Sequence, residues 1–168
     1  LRKKKIYTVV ALIMLGMLYM MIFIFSAENG EESSQISTKV TKALLHLCYS
    51  IVGGGSGAGE QVAYLVSPVE GMIRKLAHFT EYAGVGFFSY SIIVLWYKPI
   101  WRGRLLVILQ LFVSATLDEL HQYFVPGRYA AFTDVLIDTV GGAAGVGIIV
   151  LWMRIWKNRN ISIKSVTK

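Results

Sequence analysis

Long apolar runs alternate with short polar breaks along this chain. Residues 6–25 (IYTVVALIMLGMLYMMIFIF), 76–97, 105–124 and 133–153 each read as stretches near the roughly 20 residues that carry a helix across a bilayer. Residues 26–75, between the first two runs, have another character. They open polar and acidic with FSAENGEESS, after which Ile36, Val40, Ala43, Leu44, Leu47 and Ile51 recur at helical spacing. That stripe predicts an amphipathic helix over 34–52, lying on the outer leaflet or packed over the bundle, with His46 as an ordinary polar residue on it. GGGSGAG at 53–59 predicts a flexible connector. It follows no strand and lacks the Lys and Ser or Thr of a phosphate-binding loop. Ser67, Pro68 and Glu70 predict a helix start, Ser as the cap, Pro in the first turn and Glu returning the hydrogen bond, with the helix running to about Tyr97. The expected architecture is all-α, a single polytopic membrane domain over 1–168. It has four transmembrane helices and an extracytoplasmic amphipathic helix between the first and second.

Composition supports a membrane domain over a soluble one: 55% of residues are hydrophobic and the mean hydropathy is +0.55. The net charge of +7 raises the question of nucleic acid. However, most of the 17 Lys and Arg lie at Arg2 to Lys5, Lys98 to Arg104 and from Arg154 onward, where none of the ten acids falls. Short basic loops held on the cytoplasmic side explain this segregation, which predicts both termini in the cytoplasm and no nucleic-acid partner. The first run exceeds the about 7–15 apolar residues of a signal-peptide core and is expected to stay as a helix. Cys48 is the only cysteine, so no intrachain disulfide or Cys-based zinc pattern arises. Tyr82, Tyr90, Trp96, Trp101 and Tyr123 are expected as interfacial anchors.

With that topology, the start of the second span, the end of the third and the start of the fourth share one depth on the outer side. His78 and Glu81, then Asp118, Glu119, His121 and Gln122, then Asp134 and Asp138 all fall at that depth. At 100° per residue, Asp118, His121 and Gln122 lie within about 100° of one another, and Asp134 and Asp138 about 40° apart. Gly141 and Gly145 continue the Asp134 and Asp138 stripe and admit a second backbone. Ionisable groups inside spans cost about 2.5–3.5 kcal/mol each on insertion scales and point to a site with partners. A structural reading has them satisfying one another and fixing helix packing. Against it, Glu81, Asp118, Glu119, Asp134 and Asp138 outnumber Lys75, Arg128 and the two histidines, leaving a site able to take up a proton, a cation or a cationic headgroup. His78, His121, Asp118 and Asp134 are weak metal candidates, since HExxH is absent and the histidines sit on different helices.

RKLAHFTEY at 74–82, DELHQYFVPGR at 118–128 and DVLIDTVGGAAG at 134–145, with FSAENGEESS after the first span, resemble the VanZ-like family. These are small bacterial membrane proteins named for a protein associated with teicoplanin resistance. The similarity covers most of residues 23–147. It implies a four-helix envelope protein of the bacterial cytoplasmic membrane and, for some members, lowered susceptibility to glycopeptides such as teicoplanin. Carried over by position, the motif residues are Lys75, His78, Glu81, Tyr82, Asp118, Glu119, Gln122, Pro126, Gly127, Arg128, Asp134, Asp138 and Gly141. Members often carry Asn where this chain has Asp138, which adds an acid, and Val85 stands where Leu is commoner. Resistance is a phenotype rather than a reaction, so neither a cofactor nor a chemistry follows from it.

The leading expectation is a binding site made of Lys75, His78, Glu81, Tyr82, Asp118, Glu119, Gln122, Arg128, Asp134 and Asp138. Its partners are membrane lipids, a cell-wall precursor or a lipoglycopeptide. The alternative is an enzyme acting on an envelope lipid or glycan. In it Glu81, Asp118 or Glu119 serves as acid or base, and His78 or His121 orients it or binds metal. A proton-coupled transporter ranks last, because Ile92 to Trp96 and Leu105 to Leu109 are apolar. A homo-oligomer is among the expected assemblies, and a dimer interface could hold a path that the single chain does not show.

Overall fold

The computed structural model describes residues 1–52, 58–97 and 100–166. Its helices are α1 (Arg2–Ala27), α2 (Gly30–Val52), α3 (Ala58–Trp96), α4 (Ile100–Tyr123) and α5 (Phe132–Val166), with no strand among the described residues. The core of the connector expected at 53–59, residues 53–57, lies outside them.

Among the described residues three helices are long and apolar enough to cross a membrane: α1, α4 and the Phe132–Trp156 part of α5. The 39-residue α3 is not among them, because its inner half carries His78, Glu81, Ser89 and Ser91. It is the axis of the bundle and packs against each of the other four helices.

Hydrogen bonds at both ends give the directions. Gly30 N donates to Pro126 O at 3.0 Å, joining the start of α2 to the α4–α5 turn. At the opposite end, Trp96 Nε1 donates to Thr8 Oγ1 at 2.7 Å. Hence α1 and α4 run one way and α3 and α5 the other. The ends of α1 and α4 and the start of α5 therefore share a level.

Lipid offers no hydrophobic gain for joining two apolar helices, so close packing and polar contacts must hold such a bundle. The tightest contact is between α3 and α5. A Cβ added at Gly145 would run into the carbonyl oxygen of Ala83, and one at Gly141 into that of Phe79. Around this contact Tyr82, Val85, Tyr90, Leu111, Ala115 and Val146 form the core, joined by Ile22 from α1.

Two local expectations are corrected. Pro68 does not start a helix but lies ten residues inside α3, on an exposed face where one missing N–H is tolerated. Val62, buried ahead of it, shows why the helix begins earlier: that turn already has a packing partner. Tyr82 and Tyr90 are buried core residues rather than interfacial anchors, since they face the bundle interior; Trp96, Trp101 and Tyr123 are exposed.

Overpacking at a backbone contact costs about 1–3 kcal/mol, and at Gly145 the obstacle is a carbonyl that cannot rotate away. Gly145→Leu is expected to lower the melting temperature in detergent by on the order of 5 °C or more. Gly147→Leu, where a Cβ meets nothing within 4 Å, should leave it unchanged. Equal losses in both variants would remove the close approach as the cause.

Candidate functional site

The site is assembled from the α4–α5 turn outward. After α4 the chain turns through Val125 and Pro126, and Gly127 takes a left-handed φ of 75° that favours glycine. This turn presents Arg128 back across the bundle. Its guanidinium donates to the carbonyl oxygens of Phe25 and Glu28 (the latter at 3.2 Å), to Gln122 Oε1 at 3.1 Å and to Ser33 Oγ at 3.0 Å. A planar fork of donors suits four acceptors in divergent directions, where a lysine ammonium would not. Arg128 thus ties the end of α1, the start of α2 and the last turn of α4. On the other side of the turn, Ala131 N donates to Glu119 and holds the start of α5.

Gln122 passes this order inward. Its Oε1 is taken by Arg128, and its Nε2 donates to Asp118 Oδ2 at 3.1 Å and to Ser26 Oγ at 3.3 Å. Asp118 is thereby aimed at α3 and α5. There His78 Nδ1 lies 4.0 Å from Asp118 Oδ2 and 3.7 Å from Asp138 Oδ2. Donor atoms of His78, Asp118 and Asp138 all lie within 4.8 Å of one another, on three different helices. Beside them Glu81 is buried with Oε2 unpartnered among the described residues.

Above this cluster opens a cleft of about 370 Å³. Its walls carry His78, Asp138, Asp134, Glu119, Gln122 and Arg128, and also Ser34, Glu70, Arg74 and Lys75. Lys75 Nζ pairs with Asp134 Oδ1 at 2.9 Å. Glu70 does not cap Ser67 as expected; Ser34, Ser37 and Thr38 of α2 donate to it at 2.7 to 2.9 Å. Burial works against the Glu70 charge, but those three hydroxyls and nearby Arg74 outweigh it and hold the carboxyl below its ordinary 4.5.

A second, mostly apolar pocket of about 350 Å³ opens between α1 and α4, lined by Tyr19, Ile22, Phe23, Tyr82, Ser114, Leu117, Asp118 and His121. His121 stacks on Phe23, ring centroids 4.9 Å apart, and so leaves the group expected around His78. The reason is angular. Asp118 sits at the seam of α1, α3 and α4, and His121, about 60° around the helix, turns toward α1. The expected donor set of His78, His121, Asp118 and Asp134 is accordingly not the one that converges. Asp138 takes the place of His121 and Asp134, the latter being paired with Lys75.

The VanZ/LLP1 family model matches residues 11–154. The chain belongs to the VanZ/LLP1 family. No curated protein and no solved structure matches it.

Within this VanZ/LLP1 chain the motif residues fall into separate tasks. Arg128, Gln122 and Glu119 hold backbone or another side chain, Lys75 pairs with Asp134, and His78, Asp118 and Asp138 face one another. Tyr82 is core and wall of the lateral pocket. Sequence reasoning missed Ser26 and Ser34 as parts of this end, and assigned Glu70 a different bond. Ser34, Ser37, Thr38 and Thr41 recur on the helix face opposite the apolar stripe, a signal that this face packs on something polar.

Hydrogen bonds to a charged group contribute about 1.5–3 kcal/mol each in favourable cases. Arg128→Lys keeps the charge and loses most of the fork. It is expected to destabilise the VanZ/LLP1 fold nearly as much as Arg128→Ala and to expose residues 26–33 to limited proteolysis. Wild-type protection in Arg128→Lys would mean that charge alone holds the turn.

Proposed function

We propose that this VanZ/LLP1 protein is a multi-pass cell-envelope protein whose cleft holds the headgroup of an outer-leaflet lipid, a lipid-linked cell-wall precursor or a lipoglycopeptide. By doing so it lowers susceptibility to glycopeptides such as teicoplanin. In this reading both termini are cytoplasmic, and residues 76–97, the later half of α3 with Tyr97, are a fourth span sheltered by the other helices. The cleft then faces the exterior, and α2 lies along the outer leaflet. The observation that carries the reading is the cleft's lining: exposed Arg74 and Lys75 stand at its mouth, and carboxylates stand deeper. Cations at the mouth suit a phosphate or carboxylate; the acids below suit an amine or a bound cation. Two further features fit a lipid-borne ligand. The outward stripe of α2, with Ile36, Val40, Leu44, Leu47 and Ile51 exposed, suits contact with acyl chains, and the lateral apolar pocket shares Asp118 with the polar cluster.

Arg74 serves as the probe because it is exposed and lines the cleft. Arg74→Glu is expected to reduce retention of phosphatidylglycerol over phosphatidylcholine in native mass spectra by on the order of tenfold, about 1.4 kcal/mol. The melting temperature should hold, and teicoplanin susceptibility of a strain expressing the variant should rise. Unchanged lipid retention at wild-type stability would sink the headgroup reading.

A second reading, an acid/base or metal-dependent enzyme modifying an envelope lipid or glycan, is favoured by the convergence of His78, Asp118 and Asp138. It predicts a difference in the envelope lipid and glycan profile, by mass spectrometry, between wild type and an Asp118→Asn strain. Identical profiles with a lost phenotype would leave binding.

A further inference from the structure

Asp138 is the least expected residue of the cluster. Its side chain is 3% exposed, its Oδ1 makes no hydrogen bond among the described residues, and its Oδ2 faces His78. The side chains of Asp118 and His78 beside it are 8% and 16% exposed. Among the described residues no Lys or Arg pairs with Asp118, Asp138 or Glu81: Lys75 is taken by Asp134, and Arg128 by two carbonyls, Gln122 and Ser33. Carboxylates buried in a low-dielectric bundle are retained when paired or bound to a cation.

The spacing is equally specific. His78 Nδ1 stands 3.7 and 4.0 Å from the two carboxylate oxygens, beyond hydrogen-bond reach. Ligands on bonds of about 2.0–2.2 Å stand roughly 3.3–3.6 Å apart around a tetrahedral ion, so small side-chain rotations close the set. One of the carboxylates is already oriented by a neighbour, as metal ligands generally are: Gln122 donates to Asp118 Oδ2, the oxygen that faces His78, and is itself bonded to Arg128 and Ser26.

We propose that His78, Asp118 and Asp138 form a binding site for one divalent transition-metal ion, Mn²⁺ or Zn²⁺, at the floor of the cleft. An imidazole with two carboxylates suits such borderline ions better than Mg²⁺ or Ca²⁺, which take all-oxygen sets. Three protein ligands leave positions facing the cleft, where an anionic oxygen of phosphate or carboxylate type completes the shell. The site stands on these side chains and not on the headgroup reading, because the ion binds without lipid.

The test uses the full chain in detergent, stripped with EDTA and titrated with Mn²⁺ alone, then with Zn²⁺ in competition. One equivalent is expected, with a raised melting temperature. Pulsed EPR of the Mn²⁺ form should show imidazole nitrogen coupling that changes when the three histidines are ¹⁵N-labelled; this needs no variant and no assumption about how variants fold. Asp138→Asn and Asp118→Asn are expected to weaken binding by more than the about 10–100-fold typical of losing a supporting residue. His78→Ala should abolish the nitrogen coupling, while His121→Ala and Asp134→Asn keep both signals. The proposal is overturned if folded wild type shows no saturable Mn²⁺ or Zn²⁺ binding, if the bound ion shows no nitrogen coupling, or if His121→Ala removes the coupling as His78→Ala does.

Discussion

The backbones of α3 and α5 touch, and the rest of the polar end depends on that contact. Gly141 lies against Phe79 and Gly145 against Ala83, so no side chain separates the helices over one full turn. Phe79 follows His78 directly, and Gly141 stands one turn beyond Asp138. The contact that brings Gly141 to Phe79 thus fixes the separation of His78 and Asp138. In lipid, where apolar side chains gain nothing by leaving their surroundings, small residues at such a crossing give van der Waals contact that bulkier ones prevent. The same residues that make the packing tight therefore set the geometry of the site.

The third member, Asp118, is positioned differently. It belongs to α4, whose end is placed by the turn behind it, and the turn is placed by Arg128. A chain of three side chains, Arg128 to Gln122 to Asp118, carries the position of the α4–α5 turn to the cluster. Since Arg128 also grips the end of α1 and the start of α2, movement of α2 would reach Asp118 through three hydrogen bonds, Ser33 to Arg128, Arg128 to Gln122 and Gln122 to Asp118. This explains why DELHQYFVPGR carries so many polar residues in eleven positions. Only Asp118 faces the cluster; Glu119, Gln122 and Arg128 hold the frame.

Much of this was legible because depth in a membrane follows from chain direction. The helix lengths, the basic ends and the polar positions put His78, Asp118 and Asp138 at one level, and the Gly141 and Gly145 stripe foretold the close crossing. Rotation of α4 was not legible. A helical wheel puts Asp118 and His121 on one arc, but which neighbour each meets depends on where the seams between helices fall. Phe23, in an ordinary-looking apolar run, drew His121 away. Pro68 misled for a similar reason. Local signals describe where a helix can start, whereas α3 packs along α2, whose Ser34, Ser37 and Thr38 stand 36, 33 and 32 residues from their partner Glu70 in sequence.

That face has the opposite arrangement from a water-soluble helix. Ser34, Ser37 and Thr38 donate inward to Glu70 of α3 and Thr41 is buried, while Ile36, Val40, Leu44, Leu47 and Ile51 turn outward. In water such a stripe would be an aggregation patch. In the proposed placement along the outer leaflet it is the stable choice, because hydroxyls that cannot reach water must find acceptors within the protein. The buried polar atoms of the bundle gather where the helices leave room for them, at the end closed by the α4–α5 turn, while Lys39 and Lys42 of α2 stay exposed. The concentration of charge there is thus a consequence of the solvent as well as of the site, and Asp138 and Glu81, each with a carboxylate oxygen unsatisfied among the described residues, are the acids the solvent argument leaves over.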